Sequence, residues 1–189
     1  MKNDDEVLYA ADGRLATITL NRPQRKNALN QSALDSLVQC IDRAAKDASI
    51  WLLLITANGT DFCTGQDVKE LVNEGKKGDY FEPVYAALKR NYKPTICAVR
   101  GLCLAGGAGI AMGSDIRILS ETARWGWPHA KIGICSIGAP STLARMVPVN
   151  VALEYMFTGD FMDAQKALLL NLANYVVKDG DLEAAAVRM

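Results

Sequence analysis

Two glycine-bearing segments about forty residues apart are the features of this sequence best able to do chemistry. Residues 62–67 read FCTGQD and residues 100–109 read RGLCLAGGAG. Each follows an apolar, strand-like run and leads into a predicted helix, so each can aim a backbone N–H at one shared point. Two converging N–H groups stabilise a carbonyl oxygen that gains negative charge. The pattern predicts chemistry on an activated acyl group, although the same glycines would also allow close packing of helix on strand.

The elements that must position these loops alternate between strands and helices. Residues 6–20 predict a hairpin with its turn at Asp12-Gly13, and residues 32–47 predict an amphipathic helix. Residues 51–56 are apolar throughout, as in a parallel strand covered on both faces. Asp67 and Glu70 have the spacing of a helix start. Further helices are predicted over 80–91, 139–146, 149–158 and 163–171, further strands over 95–99, 115–119 and 175–177, and an irregular segment over 125–137. The interleaving predicts an α/β domain.

Composition excludes several classes of function. The 189 residues are half apolar, and 21 basic residues balance 21 acidic ones, so no basic excess points to nucleic acid. No run approaches the roughly 18 apolar residues of a membrane span, and the acidic start lacks the apolar core of a signal peptide. Five cysteines without a CxxC pair predict free thiols in a reducing compartment, the cytoplasm or an organellar matrix. The single histidine argues against a histidine-rich metal site, and we predict none.

Six motifs in this order make the chain resemble the crotonase (enoyl-CoA hydratase/isomerase) superfamily. They are NRP with NAL at 21–29, FCTGQDV at 62–68, the glycines at 101 and 106–107, SDIRI at 114–118, KIGI at 131–134, and TG with DAQKA at 158–167. The resemblance implies a spiral of ββα units, an acyl-CoA thioester as substrate, no tightly bound cofactor, and a homotrimer or dimer of trimers. Residues 1–180 would form the acyl-CoA-binding core. Residues 181–189 would begin a C-terminal helical segment whose remainder, used for trimerisation, lies past Met189.

Carried over by position, the resemblance assigns the two N–H donors to Gln66 and Gly106. It also names two catalytic glutamates for hydration, and this sequence has neither: the first position is Gly109 and the second is His129, after WGWP. Adding water to a double bond needs a carboxylate to activate water, and glycine cannot do this. The sequence therefore favours isomerase or other lyase chemistry over simple hydration.

His129 is the candidate acid or base, because its ordinary pKa lies near working pH. A structural imidazole is the other interpretation. Cys135 and Ser136 follow closely, and a Cys–His nucleophile or ordinary core packing are both open there.

The resemblance also places coenzyme A. Arg25 and Lys26 would lie near its phosphates, with Lys69 as a second basic candidate, although a surface Arg-Lys pair can simply be solvated. Ala28, Thr64 and Val68 would line the adenine pocket.

Three functions remain open at this point. The first is an isomerase or related lyase that uses the two amides and His129. The second is an acyl-CoA hydrolase or decarboxylase. The third is a non-catalytic binder of coenzyme A esters or a subunit scaffold. A membrane or nucleic-acid partner is not expected.

Overall fold

A computed structural model describes residues 5–67, 80–133 and 139–189. Its strands are β1 (Val7–Asp12), β2 (Leu15–Leu20), β3 (Leu52–Ala57), β4 (Thr95–Val99), β5 (Leu102–Leu104), β6 (Ile116–Ser120), β7 (Arg124–Gly126), β8 (Phe161–Asp163) and β9 (Tyr175–Val177). Its α-helices are α1 (Gln31–Lys46), α2 (Glu82–Arg90), α3 (Gly106–Met112), α4 (Ala139–Met146), α5 (Val149–Thr158), α6 (Ala164–Leu169) and α7 (Leu182–Arg188). Short 3-10 helices lie at Pro23–Arg25, Pro128–Ile132 and Asp179–Asp181.

The main sheet has the order β1-β2-β3-β4-β6-β9, and every neighbour after the antiparallel β1–β2 hairpin is parallel. The predicted hairpin is confirmed, but its turn is wrong by one residue. Asp12 pairs with Leu15, so the two-residue loop is Gly13-Arg14 rather than Asp12-Gly13. Every residue of β4 is buried, as expected of a parallel strand covered on both faces.

Helix α1 shows how the pattern of apolar residues builds the core. Asn30 caps it, since its Oδ1 accepts a hydrogen bond from Ala33 N at 2.8 Å, and such a cap contributes about 1 kcal/mol. One face is buried, and it comprises Ala33, Leu34, Leu37, Ile41 and Ala44. The helix therefore packs this stripe against the sheet and turns its charged face to solvent.

A second, three-stranded sheet was not predicted. It has the order β5-β7-β8, and β7 together with the 3-10 helix Pro128–Ile132 occupies most of the segment predicted to be irregular. Each strand has only three residues, too few for an alternating pattern to be recognisable. Its strands come from distant parts of the chain, and it holds the second glycine loop in place.

The C-terminal helix α7 packs on one face of the main sheet, over β3, β4 and β6. Leu182 and Ala186 are buried against Leu54, Ile96 and Ile118. The helix predicted to begin near residue 181 is therefore present, while the division of the chain at residue 180 stays a prediction. Within the described residues, no helix combines the length and apolar character that a membrane crossing requires.

Candidate functional site

The two glycine loops run side by side. Cys63 N donates to Leu102 O at 3.0 Å, and Leu104 N donates back to Cys63 O at 2.8 Å. These bonds form a parallel bridge between Cys63 and Cys103, so the first loop follows β5 and both loops leave at the same end. The structure thus brings together two segments that are about forty residues apart in sequence.

Glycine is required where the loops touch. Gly65 has φ +95°, and a Cβ there would lie 2.9 Å from Ala105 Cβ and 3.2 Å from Gly106 N. A Cβ on Gly107 would overlap the carbonyl oxygen of Cys63. Close packing is therefore one role of these glycines. It also places the backbone before Gln66 directly against the N–H of Gly106.

The N–H groups of Gln66 and Gly106 stand apart from the hydrogen bonds around them. Leu29 N donates to Gly65 O at 2.8 Å and Asp67 N donates to Leu29 O at 3.0 Å, a parallel bridge that leaves the Gln66 N–H outside it. Gly106 is the first residue of α3, so its N–H has no partner within the helix. Over residues 5–67, 80–133 and 139–189, neither N–H donates a hydrogen bond. Both remain available to an acceptor oxygen.

His129 is held by the strand that supports the second loop. Leu104 pairs with Gly126 across β5 and β7, and Ala105 N donates to Gly126 O at 2.9 Å. Three residues further on, the His129 imidazole is half-buried in a 3-10 helix, just past the fully buried indole of Trp127. Its Nδ1 is buried and has no hydrogen-bond partner among the described residues. Burial lowers the pKa of His129, because a desolvated imidazole resists protonation.

The lowered pKa of His129 predicts the pH dependence of a reaction in which the neutral imidazole acts as base. The base form is present at and above the ordinary histidine pKa of about 6.5 and is lost as pH falls through the lower pKa of the folded protein. We expect kcat/KM to be flat near neutrality and to fall only below about pH 6.5. A steady-state pH profile measures this. An acid limb centred above pH 7 would contradict the assignment.

Position 109 is covered by an aromatic side chain. A Cβ on Gly109 would overlap the hydroxyl of Tyr85 and would lie 2.5 Å from its Cζ. Tyr85 belongs to α2, and the sequence predicted only that a helix would span its position. No spacing signal could have revealed this contact, because the two residues come from different helices.

The basic loop lies beside the first glycine loop. Lys26 and Asn27 have φ near +50°, and Thr64 N donates to Lys26 O at 3.2 Å. The side chains of Arg25 and Lys26 are exposed, while Ala28 and Thr64 are half-buried. The structure therefore brings these four predicted residues together. Val68 and Lys69, as well as the helix start at Glu70, lie outside the described residues.

Two buried polar residues that the sequence did not single out fix this basic loop. Asn27 is fully buried, and its Nδ2 donates to Asn58 O at 2.8 Å and to Asp61 O at 2.7 Å. The guanidinium of Arg22 donates to the carbonyl of Ala28 and forms ion pairs with Glu6 at 2.8 Å and Asp67 at 3.2 Å. These ion pairs and hydrogen bonds connect the basic loop to Glu6, just before β1, and to Asp67, at the end of the first glycine loop.

The described cysteines are free. Cys63, Cys97 and Cys103 are fully buried, and burial raises the pKa of Cys63 to about 12, so these thiols behave as small apolar side chains. Cys135 and Ser136 lie outside the described residues, so the Cys–His alternative stays a hypothesis. The part of the chain that the structure describes contains no cluster of metal-ligating side chains.

Comparison with known proteins supplies the family. The model of the family described as Enoyl-CoA hydratase/isomerase matches residues 11–189. The short-chain-enoyl-CoA hydratase of Clostridium acetobutylicum is 35% identical over 185 residues, which cover 94% of this chain and 71% of that protein. A crystal structure of an enoyl-CoA hydratase/isomerase from Mycobacterium paratuberculosis superposes with a TM-score of 0.90 at 33% identity, covering 97% of this chain and 74% of that one. For an enoyl-CoA hydratase of Mycobacterium smegmatis the TM-score is 0.92 at 29% identity, covering 98% and 75%.

This chain belongs to the enoyl-CoA hydratase/isomerase family. The resemblance found in the sequence is thereby confirmed, and so is the crotonase-like α/β fold that it implied. This membership supports an enzyme of the enoyl-CoA hydratase/isomerase family.

Proposed function

We propose that this protein processes acyl-CoA thioesters by stabilising a thioester enolate between the N–H groups of Gln66 and Gly106. The observation that supports the proposal is the close approach of the backbone at Gly65 to Gly106. The N–H groups of Gln66 and Gly106 lack a hydrogen-bond partner among the described residues. Backbone donors suit this role because they are fixed before the reaction begins. Losing one typically costs roughly two to three orders of magnitude in rate.

We favour isomerase or other lyase chemistry over hydration. The two positions that the resemblance assigns to catalytic glutamates are Gly109 and His129, and the first is covered by the phenol of Tyr85. A single base can move a proton between two carbons of a stabilised enolate, whereas adding water needs a group that activates it. The half-buried His129 imidazole, with its lowered pKa, is the candidate base.

Coenzyme A would enter as part of the substrate, with no tightly bound cofactor. The exposed Arg25 and Lys26 are suited to its phosphates, and the half-buried Ala28 and Thr64 lie next to them. The complete set that we propose for this end of the ligand is Arg25, Lys26, Ala28, Thr64, Val68 and Lys69. A homotrimer or dimer of trimers and a cytoplasmic or organellar-matrix location remain predictions from the sequence.

A panel of thioesters tests the proposal. Purified protein is incubated with 2-enoyl-, 3-enoyl- and malonyl-type CoA esters, and products are followed by chromatography while binding is measured by calorimetry. Interconversion of 3-enoyl and 2-enoyl esters is the expected result. Decarboxylation or thioester hydrolysis would favour the second function, and micromolar binding without turnover would favour a scaffold. Binding of no ester would refute the thioester site.

Introducing a glutamate at position 109 is expected to damage the protein rather than install hydratase activity. Because its Cβ overlaps the Tyr85 phenol, Gly109→Glu should cost roughly 1–3 kcal/mol, which lowers Tm by about 2–4 °C per kcal/mol. Gly180→Glu adds the same charge at an exposed site with nothing within 4 Å of the new Cβ, so its Tm should stay near wild type. Differential scanning calorimetry compares them. Equal Tm values for the two variants, or new hydration of a 2-enoyl ester by Gly109→Glu, would show that the space beside position 109 can accept a side chain.

A further inference from the structure

The guanidinium of Arg22 lies between the two loops that the proposed reaction needs. Its Nη1 donates to the carbonyl oxygen of Ala28 in the basic loop, and its Nη2 lies 3.2 Å from a carboxylate oxygen of Asp67 at the end of the first glycine loop. Ala28 is 6 residues from Arg22 in the sequence, whereas Asp67 is 45 residues away. One side chain therefore contacts both the segment proposed for the coenzyme A phosphates and the residue that follows Gln66.

A third contact fixes the orientation of this guanidinium. Its Nε pairs with Glu6 Oε1 at 2.8 Å, and Asn30 Nδ2 donates to the same oxygen at 2.9 Å. The side chains of Arg22 and Asp67 are only 10% and 13% exposed, so salt and water screen their attraction weakly. A planar guanidinium can bind several acceptors at fixed angles, whereas a lysine ammonium on its flexible stem is a single point charge.

The basic loop has a backbone conformation that needs such support. Lys26 and Asn27 have φ of +50° and +52°, in the left-handed region that residues with a side chain adopt infrequently. Backbone of this kind persists where the surrounding contacts hold it. Here Arg22 N donates to Asn27 Oδ1 at 2.7 Å, and the Arg22 guanidinium holds the carbonyl of Ala28. A ligand on the basic loop therefore binds a segment whose shape depends on contacts with Arg22.

The first glycine loop is joined to the same segment on both sides of Gln66. Leu29 N donates to Gly65 O at 2.8 Å, and Asp67 N donates to Leu29 O at 3.0 Å. A displacement of residues 28–29 is therefore passed to the peptide groups next to the Gln66 N–H. Because an oxyanion donor acts only within a narrow range of distances, a shift of about 1 Å can change the rate by about 10².

We propose that Arg22 is a positioning residue that couples binding of the nucleotide end of the thioester to the placement of the Gln66 N–H. The inference rests on the proposed function. Phosphates held by Arg25 and Lys26 fix the basic loop, and Arg22 carries this constraint to Asp67. Binding energy from a part of the substrate that does not react then raises kcat. A thioester that lacks the nucleotide should accordingly lose kcat as well as affinity.

A comparison of full and truncated thioesters measures this coupling. A 3-enoyl-CoA ester and the matching 3-enoyl-pantetheine ester carry the same reacting group, but the second lacks the nucleotide. For the wild type we expect kcat to be roughly tenfold to a hundredfold lower with the pantetheine ester. In Arg22→Lys, kcat for the CoA ester should fall to about that level, while kcat for the pantetheine ester should change less than about threefold. The ratio of the two kcat values should therefore approach one.

Glu6→Gln is the matched control. It removes the charge of the third partner of the guanidinium and leaves the acceptors on Ala28 and Asp67 in place. Its kcat ratio should match that of the wild type, and an equal loss of the ratio in this variant would overturn the assignment. Circular dichroism at the assay temperature checks folding. If Arg22→Lys does not fold, Asp67→Asn weakens the same connection from its other end and should also lower the ratio.

Four further results have definite consequences. Equal kcat values for the two esters in the wild type would show that the nucleotide end does not act on the chemistry. An equal fall for both esters in Arg22→Lys would make Arg22 a structural residue, and an unchanged ratio with unchanged kcat would remove it from the coupling. A wild-type protein that turns over neither ester would refute the proposed function itself. Because the other three results require turnover by the wild type, the two failures are distinguishable.

Discussion

Replacing His129 with alanine is expected to lower turnover of an enoyl-CoA ester at least a hundredfold. The imidazole is the proposed base, and removing a positioned general base typically lowers the rate by about 10²–10⁴. Binding should change little, since the predicted coenzyme A contacts lie on the basic loop around Arg25 and Lys26. Steady-state kinetics and calorimetry on the same protein separate the two effects.

His129→Gln and Lys131→Gln provide the comparison for that experiment. The first keeps a polar side chain of similar size without a base, so it should be as slow as the alanine variant. The second changes an exposed neighbour on the same 3-10 helix, whose ion pair with Asp160 at 2.7 Å is on the surface and should contribute little. Wild-type turnover in His129→Ala would remove the residue from the mechanism.

Gly65→Ala is expected to reduce turnover by roughly 10²–10³ because it forces apart the loops that carry the two amides. Its methyl group would lie 3.2 Å from Gly106 N and 2.9 Å from Ala105 Cβ, and its φ of +95° is strained for any residue with a side chain. We expect a loss of roughly 1–3 kcal/mol in the free energy of unfolding as well. Chemical denaturation and kinetics on the folded fraction measure both effects.

Gly13→Ala controls for backbone strain alone. Gly13 also has a positive φ, +55°, but a Cβ there has nothing within 4 Å, since it lies in the exposed hairpin loop. It should lose some stability and keep its activity. If Gly65→Ala is destabilised yet turns over at the wild-type rate per folded molecule, the spacing of the two loops does not matter to the chemistry.

Local sequence patterns were sufficient for the long elements. The buried stripe of α1 was predictable from its helical spacing, and the burial of β3 from its apolar run. The strand predicted over 51–56 was wrong at its first residue, because Trp51 precedes β3 and is 55% exposed. The two glycine loops were found in the same way, since a strand followed by glycine and a helix is a local signal. Their meeting was inferred, and the Cys63–Cys103 bridge shows how it is built.

The features that the sequence did not reveal depend on contacts between distant residues. Tyr85 was predicted only to lie in a helix, and its overlap with position 109 exists because α2 packs against α3. Arg22 was recognised only as part of the NRP motif, yet its buried guanidinium joins Glu6 to Asp67. Three-residue strands such as β5 are defined by their partners rather than by their own residues.

A crystal structure with a bound acyl-CoA thioester tests the central claim most directly. We expect the thioester oxygen to lie about 2.7–3.1 Å from both the Gln66 nitrogen and the Gly106 nitrogen, with the acyl chain passing His129. A thioester oxygen bound elsewhere, or held by only one of these two nitrogens, would contradict the account.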